Sequence, residues 1–312
     1  MVETVAAFGF GLVVLVVSTQ WFVKIAEKIS VAAKISPLVV GATVVALGTS
    51  LPELVVSVTA AMRQDFGLAV GNIVGSNISN VLLVLPLGIL KGRVRIGTTK
   101  TPRYVLPLGA ATALFLVVNL SSQGVGRGGL LLFAGAIAVT VLELFWGLSG
   151  RDHEDGKRFK KSHAPKITPG DVLLLFGVLV GILGGGIIVV NSVENLATLT
   201  GLSTTFLGLT LTAIGTSIPE LLATFFSVEL KEDKMTVGNI LGSNIYNLLA
   251  IGGILAMIGY IPIIDWQVGL FLIASTAMLG WMIFKFKGRN VPKQIAFMFL
   301  GGFCLYMLSL RS

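Results

Sequence analysis

The stretch Gly48-Thr49-Ser50-Leu51-Pro52-Glu53 places an ionisable carboxyl group and a helix-breaking proline inside an apolar run from Pro37 to about Met62. The stretch Gly215-Thr216-Ser217-Ile218-Pro219-Glu220 repeats it, with one conservative change, inside a second apolar run from about Ser203 to Val228. A carboxylate near the middle of a membrane-spanning helix costs roughly 2.5 to 3.5 kcal/mol on insertion scales. Two carboxylates at equivalent positions therefore predict a functional site.

The composition is that of a membrane protein. Hydrophobic residues make up 54% of the chain and charged residues 12%, and the mean hydropathy is +0.91, whereas about a quarter of the residues in soluble domains are charged. A spanning helix needs about 20 residues, and clusters of charge, Gly, Pro and Asn divide the apolar sequence into ten runs. We therefore expect an all-α integral membrane protein with ten transmembrane helices, near residues 4–23, 37–62, 69–90, 104–120, 129–149, 172–191, 203–228, 236–259, 266–284 and 294–310.

The distribution of positive charge orients these helices. If the amino terminus lies outside, 20 of the 23 Lys and Arg residues fall in cytoplasmic loops, including a basic loop at 151–170, and only Arg63, Arg127 and Arg311 lie outside. Cytoplasmic loops of membrane proteins carry such an excess. The sequence predicts a multi-pass protein of the cell (inner) membrane with both termini on the extracytoplasmic side. The net charge of +8 then reflects topology and attraction to lipid, which argues against nucleic-acid binding.

The chain contains an internal repeat. A shift of 167 residues aligns Gly41–Leu82 with Gly208–Leu249, and 19 of the 42 positions are identical, although none is identical from Val55 to Ala69. Five spans per half require that the halves, at 1–150 and 171–312, enter the membrane from opposite faces. Inverted repeats of this kind are typical of secondary transporters, whose sites lie between the repeats. We therefore expect helices 2, 3, 7 and 8 to form a central ion-binding core.

The proline-containing motif favours cation binding. Pro52 and Pro219 have no amide hydrogen for the carbonyl one turn earlier, so each helix should open there and free backbone oxygens. Within one helical turn, each glutamate also shares a face with a threonine and a serine. The oxygens expected to point at a cation belong to Ala46, Thr49, Ser50, Glu53, Ala213, Thr216, Ser217 and Glu220.

A second repeated motif supplies amides and hydroxyls. Residues 71–80 are echoed by residues 238–247, and their asparagines and serines recur at intervals of four along one helix face. We expect the deeper residues Ser76, Asn80, Ser243 and Asn247 to contact an ion. We expect the outer asparagines to hold helices together; these are Asn72, Asn77, Asn239 and Asn244.

The donor atoms restrict which ion is bound. The predicted core contains no His or Cys, which disfavours zinc, copper and nickel. Calcium accepts about six to eight oxygens in a tolerant geometry, whereas magnesium requires a tighter shell. Sodium accepts the same oxygens as calcium. The same carboxylates could therefore serve Ca2+ and Na+ in turn, which would couple the movement of one ion to the other.

The two blocks G-x-x-x-x-A-x-G-T-S-x-P-E and G-N-x-x-G-S-N-x-x-N, present once in each half, resemble the alpha-repeats of the sodium/calcium exchanger family, in its short prokaryotic form. The resemblance implies an antiporter that exchanges Na+ for Ca2+ at a shared site, with no enzymatic reaction and no cofactor. It implies that helices 1 and 6 slide together to alternate access. By the motif match, the ligands are Glu53, Glu220, Asn80, Asn247, Thr49, Thr216, Ser50, Ser217, Ser76, Ser243, Ala46 and Ala213.

Several alternatives stay open or are disfavoured. Some relatives carry Asp at the position of Asn247, so coupling to protons or K+ instead of Na+ remains open. A channel is disfavoured by the inverted duplication. A hydrolase is disfavoured because no His or Lys lies near Ser50 or Ser217 to activate it. Glu143 is expected at a membrane interface, and the oligomeric state is not predicted.

Overall fold

The computed structural model describes residues 2–96, 101–121, 126–149, 165–198 and 204–310. Across these ranges the regular structure is helical, and the only β pairing is one isolated bridge between Arg95 and Asn290. The prediction of an all-α protein is confirmed. Most of the predicted basic loop, together with its histidines at 153 and 163, lies outside the described residues.

We number the helices α1 to α10 in chain order. Two of them, α2 and α7, consist of two segments separated by a bend. The first half of the chain contains α1 (Val2–Ala33), α2 (Pro37–Thr49 and Leu51–Met62), α3 (Phe66–Lys91), α4 (Val105–Leu120) and α5 (Arg127–Ser149). The second half contains α6 (Pro169–Thr198), α7 (204–216 and Ile218–Glu229), α8 (Asp233–Ile258), α9 (Trp266–Lys285) and α10 (Lys293–Ser309).

Six of the described helices are long and apolar enough to cross a membrane, namely α1, α3, α5, α6, α8 and α9. The number rises to eight if each bent helix is one span. The apolar helices α4 and α10 have 16 and 17 residues, somewhat fewer than the roughly 20 that span a bilayer without thinning or tilt adjustments. The fold is therefore that of a polytopic helical membrane protein.

The first helix of each half extends further than hydrophobicity predicts. Helix α1 continues to Ala33 beyond its predicted end at residue 23, and α6 begins at Pro169 and ends at Thr198. The added turns of α1 contain charged residues. One of them, Lys28, bonds both carboxylate oxygens of Asp171 on α6 at 2.7 Å. A hydropathy pattern cannot register these turns, because their helical state does not require burial in lipid.

The sequence repeat is also a repeat of backbone conformation. Helix α2 contains a π-helical turn at Gly41–Val45 and α3 one at Asn80–Val84, and both recur 167 residues later, at Gly208–Thr212 and Asn247–Ile251. Helices α2 and α7 bend by 44° and 42° at equivalent positions. Single π-helical turns inside α-helices are frequent at functional sites, and here they flank both repeated motifs.

The apolar interior is divided into two clusters. The larger joins α3, α4, α5, α8, α9 and α10 with parts of α2 and α7, whereas the smaller centres on α1 and α6 and their contacts with the outer faces of α2 and α7. Helices α1 and α6 pack closely, since a Cβ atom at Gly185 would lie 3.0 Å from the carbonyl oxygen of Gly11. This pair therefore forms a separate layer against the helices that carry the motifs.

Candidate functional site

The two motif glutamates lie at equivalent bends in the middle of the bundle. Glu53 and Glu220 are 0% exposed, and each belongs to the first turn of the second segment of its helix. Each preceding proline is placed in that first turn, where an amide hydrogen would have no helical partner. The bends thus let a proline sit inside a transmembrane sequence without disrupting a continuous helix.

The glutamates are bonded by serines from the opposite half of the chain. Ser50 Oγ donates to Glu220 Oε1 at 2.9 Å, and Ser217 Oγ donates to Glu53 Oε1 at 3.5 Å. The two carboxyl groups are close enough to interact electrostatically. The second oxygen of each carboxyl is buried and has no hydrogen-bond partner among the described residues. The structure therefore brings both predicted carboxylates into one cluster.

The threonines of the motif are held by asparagines in the same crossed manner. Thr49 Oγ1 donates to Asn239 Oδ1 at 3.2 Å, and Thr216 Oγ1 donates to Asn72 Oδ1 at 3.1 Å. Each bond joins the proline motif of one half to the asparagine motif of the other. We call Glu53, Glu220, Ser50, Ser217, Thr49 and Thr216 the central cluster.

The two deeper serines border the central cluster. Ser243 Oγ lies 3.4 Å from Glu220 Oε1, and Ser76 Oγ lies 3.2 Å from Thr216 Oγ1 and 3.4 Å from the carbonyl oxygen of Ala213. Both serines are fully buried. The structure thus places them next to the predicted ligands, and each contacts a residue of α7.

The paired asparagines Asn80 and Asn247 begin the π-helical turns of α3 and α8. Asn80 donates to Asn244 Oδ1 at 3.1 Å, but its own Oδ1 has no partner among the described residues. Asn247 is 0% exposed, and within the described part of the chain neither of its amide atoms is hydrogen-bonded. Buried polar atoms are normally satisfied, so these orphaned amides fit a site whose remaining ligand is an ion.

Two predicted backbone ligands are less free than the sequence indicates. The carbonyl of Ala46 accepts the amide of Ser50 at 3.0 Å, and the carbonyl of Ala213 accepts the amide of Ser217 at 3.1 Å. The expectation that proline frees these two carbonyls is wrong, because each first segment completes its last turn before the proline's missing hydrogen matters. Each oxygen could contact an ion only through its remaining acceptor capacity.

The donor set around the cluster is rich in oxygen and poor in charge. The described residues contain no group of three or more His, Cys, Asp or Glu side chains that could hold a metal. Two carboxylates, with hydroxyl and amide oxygens, form the whole predicted set. Such hard, neutral-rich oxygen shells suit calcium and sodium better than transition metals.

Glu143 was missed by the sequence reasoning. It is 0% exposed and lies inside the bundle, so the prediction of an interfacial position is wrong. Its neighbours Leu142 and Leu144 are exposed on the opposite face of α5. The available signal was the helical spacing of three residues between Thr140 and Glu143, which places two polar side chains on one face of an apolar helix.

These features define an integral membrane protein of the cation-antiporter class, with a duplicated acidic motif at its centre. Residues 3–148 and 171–310 match the family described as "Sodium/calcium exchanger protein". The chain belongs to the sodium/calcium exchanger family.

The likeness to individual members extends over most of the chain. The chain is 36% identical over 248 residues to the putative antiporter CaxA of Alkalimonas amylolytica, which covers 78% of this chain and 77% of that protein. It is 32% identical over 329 residues to the inner membrane protein YrbG of Escherichia coli, covering 99% and 97% of the two chains. The structure matches the sodium-calcium exchanger NCX_Mj soaked with Na+ and Sr2+ with a TM-score of 0.81 and 26% identity, over 99% of both chains.

Proposed function

We propose that this protein is a secondary active antiporter that exchanges Na+ for Ca2+ by alternating access at the central cluster. The observation that carries the proposal is the pair of fully buried glutamates, each bonded by a serine from the other half of the chain. The family supplies the class of reaction, which is exchange of Ca2+ against another cation. The choice of Na+ rests on the oxygen donor set and on the name of the matched structure, a sodium-calcium exchanger.

The ligand set is proposed from the contacts around the cluster. Glu53 and Glu220 supply the negative charge that both ions share. The hydroxyls of Thr49, Ser50, Thr216 and Ser217 lie within the same network, and Ser76 and Ser243 border it. Asn80 and Asn247 offer unpartnered amide oxygens. The carbonyls of Ala46 and Ala213 complete the proposed set through their second acceptor positions.

Charge balance explains why such a site exchanges ions instead of leaking them. With both glutamates ionised, the cluster carries two negative charges, which one Ca2+ neutralises. Several Na+ ions neutralise the same charges. An empty cluster would leave two unpaired carboxylates in the membrane interior, which is unfavourable. The barrier to changing the open side should therefore be lowest when one cation species or the other is bound, and this condition produces antiport.

The layout we propose contains ten spans arranged as two inverted five-helix repeats, with both termini outside the cell membrane. It is supported by the 167-residue offset of the π-helical turns and bends, and by hydrogen bonds that exchange the two halves. The short helices α4 and α10 would then be the fourth and tenth spans. Helices α2, α3, α7 and α8 would surround the site.

Coupling to protons or K+ is the competing possibility. Asn247 provides an amide where some relatives have a carboxylate, so the cluster contains two acidic residues. Three Na+ ions would then leave one excess positive charge, which is compatible with electrogenic exchange. A proton-coupled exchanger would use the same two glutamates, so the geometry of the ligands does not separate the two mechanisms, and flux measurements must do so.

The decisive experiment uses proteoliposomes loaded with Ca2+. An external Na+ pulse, with K+ absent and pH clamped, is expected to release Ca2+ from wild-type vesicles. Glu53→Gln and Glu220→Gln are each expected to abolish this release while the protein remains folded. Glu229→Gln is the matched control, since Glu229 lies on the same helix as Glu220 but pairs with Lys91 at 2.6 Å outside the cluster.

Two outcomes would count against the proposal. Retention of half the wild-type rate by either glutamine variant would refute the site. Release that requires a pH gradient or K+, and not Na+, would replace sodium coupling by the competing mechanism.

A further inference from the structure

Helix α5 contains a buried carboxyl group outside the central cluster. Glu143 is 0% exposed, and neither of its oxygens has a hydrogen-bond partner among the described residues. A buried polar group without a partner is costly, and an ionised carboxylate without a partner far more so. The position therefore requires a positive charge or a proton that compensates the carboxylate.

The nearest polar partners lie on α5 itself and on α8. Thr140 precedes Glu143 by one turn, and its Oγ1 atom lies 3.0 Å from the hydroxyl of Tyr246. Tyr246 is buried and interacts electrostatically with Glu143. Helices α5 and α8 can approach this closely because Gly129 and Gly253 meet at their crossing, where an added Cβ would collide with backbone.

The hydrogen bonds fix which atoms donate. Thr140 Oγ1 lies 2.8 Å from the carbonyl oxygen of Ala136, and a carbonyl can only accept, so the threonine proton is used there. Tyr246 must then donate its own proton to Thr140. The tyrosine oxygen is left with acceptor capacity only, so an ionised Glu143 would set acceptors against an acceptor.

The charged and titratable groups around Glu143 are few. Helix α8 faces it with Tyr246. The part of α2 that packs on α5 and the whole of α4 contribute no titratable side chain. On α5 the other charged residue is Arg127, 16 positions away, which is about 24 Å along the helix. A Na+ ion requires several oxygen ligands, whereas a proton requires one acceptor, which Tyr246 provides.

We propose that Glu143 is a proton-binding site, hydrogen-bonded through that proton to Tyr246 and linked by Tyr246 to cation binding at Asn247. The carboxylic acid donates to the tyrosine oxygen, Tyr246 donates to Thr140, and Thr140 donates to Ala136, which completes a chain of donors. Tyr246 directly precedes Asn247, so this chain ends one residue from a proposed ligand.

The sign of the linkage follows from electrostatics. A Ca2+ ion beside Asn247 repels the proton on Glu143 and so favours its release. Linkage is reciprocal, so loss of the proton at higher pH strengthens Ca2+ binding. This part of the proposal rests on the proposed function, whereas the presence of the proton does not.

The proton is tested by infrared spectroscopy of the purified protein at neutral pH without Ca2+. The wild-type spectrum is expected to contain a carboxylic acid C=O band that Glu143→Gln lacks and that the exposed control Glu3→Gln retains. Tyr246→Phe is expected to keep the band but shift it to higher frequency, because the hydrogen bond to the acid is lost. Identical spectra for wild type and Glu143→Gln in this region, or no shift in Tyr246→Phe, would overturn the assignment.

The linkage is tested by counting the protons released into a weakly buffered solution when Ca2+ is added. Glu143→Gln is expected to release fewer protons per bound Ca2+ than wild type, and Glu3→Gln the same number. Equal release from Glu143→Gln and wild type would overturn the linkage. Failure of the proposed function would appear differently, as absence of Ca2+ binding in every variant with the Glu143 band still present.

Discussion

At the scale of single residues, the two crossed serine–glutamate contacts are equivalent in sequence but unequal in geometry. Ser50 Oγ is 2.9 Å from Glu220 Oε1, whereas Ser217 Oγ is 3.5 Å from Glu53 Oε1. The first distance is that of a strong hydrogen bond and the second lies at the outer limit. Glu220 also receives a contact from Ser243, at 3.4 Å. The two glutamates therefore occupy different environments despite the repeat.

This asymmetry predicts different effects of removing each hydroxyl. A hydrogen bond to a charged group contributes about 1.5 to 3 kcal/mol, so Ser50→Ala is expected to weaken Ca2+ binding by at least about tenfold. Ser217→Ala is expected to weaken it by less than about fivefold, because its contact is long. Titration calorimetry of both variants gives the comparison. Equal losses, or a larger loss in Ser217→Ala, would show that the bound site does not keep this asymmetry.

The residues of the site could be predicted from the sequence, but their partners could not. The motif spacing indicates that Glu53 shares a face with Thr49 and Ser50, which are its neighbours in sequence. The structure instead bonds Glu53 to Ser217 and Glu220 to Ser50. Partners from another helix depend on how the halves pack, and spacing within one helix carries no information on that.

At the scale of the helices, close packing through glycine decides how the site helices cross. A Cβ atom at Gly242 in α8 would lie 2.7 Å from the carbonyl carbon of Ala42 in α2, and one at Gly75 in α3 would lie 2.8 Å from the carbonyl oxygen of Leu209 in α7. These are equivalent glycines in the repeat. In both cases the obstacle is backbone, which cannot move aside as a flexible side chain can.

Substitution of these glycines is therefore expected to destabilise the protein. Overpacking of this kind costs about 1 to 3 kcal/mol, so Gly242→Ala and Gly75→Ala should lower the thermal unfolding temperature in detergent. Gly177→Ala in α6 is the matched control, because nothing lies within 4 Å of the added atom. A control that unfolds as early as the test variants would mean that steric contact at the helix crossing is not the cause.

The ion pair between Lys28 and Asp171 joins α1 to α6 at one end. Both carboxylate oxygens lie 2.7 Å from the Lys28 ammonium, and Asp171 also accepts from the backbone amide of Thr168 at 2.7 Å. The pair is remote from the central cluster in sequence and belongs to the separate α1 and α6 layer. If these helices slide as one unit during transport, this contact helps to keep them together.

Breaking the pair should then affect rate more than binding. Lys28→Gln and Asp171→Asn are each expected to slow Na+-driven Ca2+ release a few-fold, since partly exposed pairs contribute modestly, with Ca2+ affinity unchanged. The charge-reversed double variant, Lys28→Asp with Asp171→Lys, is expected to recover part of the rate. No recovery, or a matching change in affinity, would argue against a role in joint movement.

Helix existence could be predicted better than helix detail. The proline motifs predict a disruption in α2 and α7, and the bends at Ser50 and Ser217 agree with that. The π-helical turns could not be predicted, because their defining hydrogen bonds leave no mark in hydrophobic periodicity. The turns after α2 and α7 show the same limit. Gln64 and Lys231 are equivalent and both have left-handed backbones, with φ of 65° and 62°, although the surrounding sequences share no identity.

At the scale of the whole molecule, hydrogen bonds between the halves come in exchanged pairs. The bond from Thr49 to Asn239 becomes the bond from Thr216 to Asn72 when 167 is added to one residue number and subtracted from the other. The serine–glutamate contacts exchange in the same way. A site made in this way needs both halves in place, so neither half is expected to bind Ca2+ when expressed alone.

The orientation of the molecule in the membrane gives the last prediction. If the proposed ten spans are correct, 20 of the 23 Lys and Arg residues face the cytoplasm, and the segment 151–166 carries the densest group. Moving that many charges outward would oppose the positive-inside bias, so the opposite orientation is disfavoured. Cys304 is the only cysteine and is exposed, so it must first be replaced by serine. A single cysteine at Ser162 should then resist a membrane-impermeant thiol reagent added to intact cells, and one at Ser312 should react. Labelling of Ser162→Cys from outside would reverse the orientation, and equal protection of both positions would place the termini on the cytoplasmic side and change the number of spans.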